Sequence, residues 1–385
     1  VLAAERGALD LDAPMVRYLP DAVLPEGVER GSIRVEDLIT LTHGLSGDGP
    51  VVLRTAYTGE FTRGELPGLL RYHVPTGNRG RFEYNNLGYN LLGLVLESVF
   101  DTSWKEVVAR EVTRPLGMTR THADVSAYGP DETAMPHAMD PAGGFSRVPL
   151  QKDDSNMHAA GGHFATPGDL GRYLASHLTG GVVAGRPTLP SAPIRATHLT
   201  RVEQDREFGP YHRHGWGYGW DIGTLRGDTL IHRFGAFPGY RSHVSFMPER
   251  GLGVVVLTNG DGPASAASDL LATFIYDRLA GLPDIQATYQ ARLAELAEQA
   301  GAARADRAAH LEERRARMAP LPHPIDDYAG TFENALLGRI TFLRVGSALE
   351  FSAGAARSQA EVFDAAANRL RVEIGGNGTV ATFRF

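Results

Sequence analysis

The chain has no cysteine. That excludes thiol nucleophiles, thiolate metal sites and disulfides, and it leaves the redox compartment open. Lysine is almost missing as well: Lys105 and Lys152 stand against 36 arginines, so a catalytic lysine has only two places to be. No apolar run is longer than a strand such as "GVVVL" at 253–257, far short of the ~20 residues that span a bilayer. Nor is there an excess of positive charge. The formal net charge is −7 and the pI near 6.1, which gives no reason to expect nucleic acid as a partner. An initiator methionine is missing too, and "VLAAERGALDLDAP" reads as the tail of a helix followed by a turn. The expectation is a chain cut at its front, with any signal peptide out of view.

What is present is globular. With 385 residues, 43% hydrophobic and 22% charged, the composition fits a large domain plus a small one. Apolar spacing of three and four marks helices at 35–45 and 86–100, and an amphipathic one at 103–118 stopped by Pro115 and Gly117. Thr166 and Pro167 open a further helix, as N-cap and first helical residue. Short β-rich runs follow from 215 to 258, separated by Gly, Pro and Asn in the manner of an antiparallel meander. Helix returns at 265–281. The order predicts an α+β fold, helices flanking an antiparallel sheet. Residues 1–282 form the main domain, 283–324 a helical linker rich in Ala, Glu and Arg, and 325–385 a small β-domain.

Two stretches carry chemistry. "RFEYNNLGYNLLG" sets Tyr84, Asn85 and Asn86 in front of a leucine-rich helix, where an N-cap needs only one amide. A tyrosine, whose pKa is about 10 when unperturbed, becomes a useful base only beside cations. "IHRFGAFPGYRSHVSF" at 231–246 offers that cation, Arg233, on a strand whose Gly235, Pro238 and Gly239 let a ligand approach the backbone. The N–H of Ala236 is a candidate oxyanion donor there.

In order and context these stretches resemble the serine β-lactamase/penicillin-binding-protein superfamily, in particular its class C and esterase-like branch. "YNN" at 84–86 matches Y-x-N, and "HRFGAFPGYRS" at 232–242 matches the K-T-G strand, with Arg233, Phe234 and Gly235 at the three positions. "GALDLDAPMVRYLP", "EDLITLTHGLSG", "VTRPLGMTRT" and "AAGGHFATPGDLGRYL" are similar to further family segments. The stretch from "IDDYAGTFEN" to "TFRF" resembles the small lipocalin-like domain appended to many such hydrolases. One element is missing: no S-x-x-K occurs, since Lys105 follows Thr102 and Lys152 follows Pro149 at that spacing. The family places it upstream of "GALDLD", which here lies before Val1.

The resemblance implies a serine hydrolase that works through an acyl-enzyme on an ester or amide, without cofactor or metal. In it Tyr84 shares the nucleophile's proton, Asn86 and Asn85 meet substrate, Arg233 supplies positive potential, and Gly235 and Ala236 form the oxyanion edge. Phe234 and Phe237 line the substrate pocket. Arg233 in place of Lys and Phe234 in place of Thr favour a less acidic, more apolar acyl group. The substrate is then a small molecule or peptide, and the location periplasmic or secreted, while the oligomeric state stays open. Three other readings compete. "GLSGD" at 44–48 lacks the final glycine of an α/β-hydrolase elbow, and His212 and His214 have the types for zinc but no H-E-x-x-H. The third is a family member that binds ligand without catalysis.

Overall fold

The structure is a computed structural model, and it describes all residues except Pro130, Met318, Ala319 and Gly376. Residues 318–319 of the linker expected over 283–324 thus lie outside the described residues.

Six strands build the central sheet: β1 (Val202–Phe208), β2 (Tyr211–Trp216), β3 (Asp221–Leu225), β4 (Asp228–Phe237), β5 (Tyr240–Met247) and β6 (Leu252–Thr258). Each pairs antiparallel with its sequence neighbour, giving the order β6-β5-β4-β3-β2-β1. Short connections make this the natural outcome. Between β4 and β5 the turn is only Pro238 and Gly239, with Phe237 opposite Tyr240. Proline presets the first turn position, and Gly239 takes the φ of +79° that the second requires.

Strand alternation gives this sheet two different faces. Ile231 packs with Leu174, Trp220 and Phe246 toward the helical part of the chain. Leu230 packs with Tyr211, Met247, Ala272 and Tyr276 on the opposite face. The helical part is centred on α2 (Leu87–Phe100), which buries Leu87, Leu91 and Val95 against Leu38 and Val51. The short helix α1 (Val35–Ile39) crosses it closely, because a Cβ on Gly88 would fall 2.4 Å from the Leu38 carbonyl oxygen. Helix α3 (Pro167–Thr179) starts as its sequence predicts, with the Thr166 hydroxyl accepting from the Asp169 N–H at 3.2 Å.

Helix α4 (Ala264–Leu279) covers the second face, and α5 (Ile285–Ala316) continues as one 32-residue helix with Tyr289 its one buried residue. The last six strands, β7 (Gly330–Asn334), β8 (Gly338–Val345), β9 (Ala348–Ala353), β10 (Ala356–Asp364), β11 (Arg369–Ile374) and β12 (Asn377–Thr382), again pair in sequence order. Among the described residues β7 and β12 do not pair with each other, so this is an open curled sheet around Phe342, Phe351, Leu370 and Val372. Its core extends to Val148, Leu150, Tyr57 and Phe237 of the main domain. The small sheet therefore leans on the tip of β4.

Candidate active site

The three polar residues ahead of α2 divide their labour. Asn85 is buried and its amide is fully spent: Oδ1 accepts from the Leu87 N–H at 3.1 Å and lies 3.2 Å from His43 Nε2, while Nδ2 donates to the Leu45 carbonyl at 3.2 Å. It, rather than Asn86, satisfies the helix's first free N–H, so the substrate contact expected of Asn85 is not available. Asn86 makes no capping bond. Its Oδ1 instead accepts from the Tyr84 hydroxyl at 3.1 Å, and Tyr84 is 43% exposed. The pair is turned outward because its neighbour does the structural work.

Arg233 meets this pair from β4. Its guanidinium lies 4.2 Å from the centroid of the Tyr84 ring and 5.3 Å from that of Trp216. The cation thus sits over the ring face, where the aromatic quadrupole attracts it, not beside the hydroxyl. Trp216 is fixed in turn by its indole N–H, which donates to the Ile39 carbonyl at 3.0 Å. Arg233 also pairs with Asp221 at 3.0 Å. Asp221 is 1% exposed and takes a second arginine, Arg213, at 3.4 Å, and the Gln204 amide at 3.0 Å. Burial lowers the Arg213 guanidinium to about 10. Neither Asp221 nor Trp216 carries a motif that marks it in the sequence.

Past His232 the strand loses one neighbour. β3 pairs with β4 only from Asp228 to His232, whereas β5 follows it to Phe237. The edge at 233–237 is therefore free on one side. With Phe237 and Tyr240 joined across the two-residue turn, antiparallel alternation directs the Ala236 N–H to that free side. Gly235 lies level with Ser242, whose Oγ would be 2.3 Å from any Cβ placed there. Phe234 departs from expectation. It packs on the opposite face, stacked on His232 and His243 at 4.8 and 4.5 Å, because a strand puts consecutive side chains on opposite sides. Phe237, two residues beyond Gly235, does return to the Arg233 face, where Tyr57 stacks on it at 5.7 Å.

A cleft of about 900 Å³ opens beside Tyr84, between residues 80–84 and the sheet-edge residues 201–206. Its walls carry Arg81, Glu83, Arg201, Glu203, Asp205 and Arg206, a mixed polar surface. The T-x-x-K lysine lies elsewhere, with Lys105 bound to Asp124 at 2.7 Å. His212 bonds Glu207 at 2.8 Å.

An antiparallel sheet flanked by helices, with a Tyr-x-Asn turn facing its R-F-G strand, defines a protein of the β-lactamase and penicillin-binding-protein fold. The beta-lactamase family model matches residues 1–277, and the chain belongs to that family. Among curated proteins it is 24% identical over 288 residues to penicillin-binding protein 4 of Amycolatopsis lactamdurans, covering 72% of each chain. It is 21% identical over 262 residues to protein flp of Staphylococcus aureus, covering 66% of this chain and 49% of that one, so the chain spans about half of that relative. Among solved structures, an octameric penicillin-binding protein homologue from Pyrococcus abyssi is similar over 100% of this chain and 81% of its own, at a TM-score of 0.59 and 20% identity. A D-stereospecific amidohydrolase from Streptomyces sp. matches 67% of this chain and 77% of its own, at a TM-score of 0.56 and 21% identity.

Proposed function

We propose that the chain carries the Tyr-x-Asn and strand elements of a serine acyl-transfer hydrolase acting on an ester or amide through an acyl-enzyme. The observation that supports this most is the convergence of the Tyr84–Asn86 pair and Arg233 next to an unpaired strand edge at Gly235–Ala236. In this reading the attacking serine and its lysine are supplied from upstream of Val1. Tyr84 helps to move the serine's proton, Asn86 orients the substrate, and the Ala236 N–H binds the developing oxyanion. Arg233, with its charge shared by Asp221, acts through field and ring contact. Because Phe234 faces away, it offers no ground for an apolar acyl group, and the polar cleft beside Tyr84 suits an amide as well as an ester.

The test begins with the gene upstream of Val1. An in-frame S-x-x-K, followed by turnover of p-nitrophenyl esters or amino-acid amides by the extended protein, supports the reading. The variant Tyr84→Phe should then lower kcat/KM roughly 10²–10⁴-fold. A frame without that serine, or an extended protein that turns over neither class, sinks it and leaves a ligand-binding family member.

A further inference from the structure

Lys152, one of only two lysines, is held at the far end of the same strand face. Its ammonium donates to the Asn156 carbonyl at 2.8 Å and the Ala56 carbonyl at 3.2 Å, and lies 3.7 Å from the centroid of the Phe237 ring. No carboxylate among the described residues forms an ion pair with it. The Phe237 ring also stacks on Tyr57, part of the π-helical turn Arg54–Thr58 that contributes the Ala56 carbonyl. Tyr57 is backed by the small sheet, where a Cβ on Gly375 would come 2.5 Å from its ring, and the Ala355 N–H donates to the Thr58 carbonyl at 2.8 Å. Phe237 follows Ala236 directly on an edge that no second strand holds.

We propose that Lys152 is a positioning residue of this site, its ammonium holding the Phe237 ring and, through it, the Gly235–Ala236 edge with which a substrate would pair. The proposal rests on the acyl-transfer reading for what the edge does, but not for the clamp itself.

The choice of residue argues for it. Burial lowers the Lys152 amine from 10.5 to about 7. Between those values the unfolded chain holds a proton that the folded chain does not, so stability rises with pH across that window. At neutral pH the partly buried lysine therefore costs stability that a methionine of similar length would not. A side chain kept only to fill this space would be apolar. Few charges oppose or help it. Asp153 favours the ammonium from its own loop, and His158 is held neutral by burial, at about 3. Across the ring Tyr57 stays a neutral phenol, raised by burial and Asp48. Arg54 of that turn is occupied by Glu65, and Arg233 by Asp221.

The test uses the full chain with 13Cε-labelled lysine and a single 4-fluorophenylalanine at position 237. The expected result is a Lys152 signal that titrates near pH 7, and a 19F signal that moves with the same midpoint. Lys152→Met should shift the 19F signal, abolish its pH dependence and raise the melting temperature by a few degrees. Lys152→Arg should keep the low-pH 19F position up to pH 9. A 19F signal that stays flat while Lys152 titrates overturns the proposal. So does a Lys152→Met variant that melts lower, the mark of a purely structural strut. None of these readouts needs turnover, so a failure here is separate from a failure of the acyl-transfer reading.

Discussion

The two faces of the central sheet put clustered polar residues to opposite ends. On the back face Asp269 lies 2.8 Å from His243 Nδ1, and His243 Nε2 lies 2.7 Å from Ser245 Oγ, the spacings of an acid–base–nucleophile relay. Yet Ser245 is 0% exposed, its hydroxyl is also bonded to Tyr276 at 2.9 Å, and Phe234 and Tyr211 close over the imidazole. On the front face the contacts are longer, 3.1 Å for Tyr84–Asn86 and 4.2 Å for Arg233 over the ring, but Tyr84 lines a cleft and Arg233 opens a stretch of β4 with one free edge. Short hydrogen bonds report satisfied burial, and a site is marked by polar groups left open to a ligand. Asp221 ties the faces together, drawing Arg213 from one side and Arg233 from the other.

Acid should break the structure with the largest effect. His158 is lowered to about 3 and His43 to about 4, in each case chiefly because burial disfavours the charged ring. Such groups contribute stability that is fully present above the unfolded value of 6.5 and is lost as pH falls toward the folded one. Each is worth on the order of 3 kcal/mol by pH 4 or below, against about 5–15 kcal/mol for a whole domain. Circular dichroism should show cooperative unfolding between about pH 6 and pH 4, with the midpoint moved lower in His158→Gln. A native spectrum retained at pH 3.5 would contradict it.

Next in size is the residue that joins the two faces. Asp221→Asn leaves two arginines without their shared counter-charge at a site that is 1% exposed. The expected loss is about 3–5 kcal/mol in urea unfolding, as for other buried pairs broken on one side. Arg233 should also lose its hold over Tyr84, read as a change in Trp216 fluorescence. A loss under about 1 kcal/mol would mean that water already screens the cluster.

That cluster also shows where the sequence stops being legible. The helix at Leu87–Phe100 and the meander follow from spacing and turn residues, and Tyr84, Asn86 and Arg233 are legible as candidates from their order along the chain. Asp221 was not, because a lone acid at the start of "DIGTL" becomes special only when two arginines 8 residues before and 12 residues after it fold onto it. The resemblance puts Phe234 at the substrate pocket, yet period-two alternation already separates it from Arg233. Asn85 and Asn86 look interchangeable as letters, and only the buried partners His43 and Leu45 decide which amide is structural. Lys152 gave one hint, its rarity.

The smallest effect separates the faces most cleanly. Ser245→Ala removes a hydroxyl bonded to both His243 and Tyr276, and should cost about 1–2 kcal/mol, the usual range for a buried hydrogen-bonded group left unpaired. Because the change is sealed behind Phe234 and Tyr211, the 19F signal at Phe237 and the Trp216 fluorescence should stay as in the parent chain. A fluorophosphonate, which reports an accessible activated serine, should leave Ser245 unmodified in the folded protein by mass spectrometry. Stoichiometric labelling of Ser245 would show that the back face opens, and the contrast drawn between a satisfied relay and an open cleft would then fail.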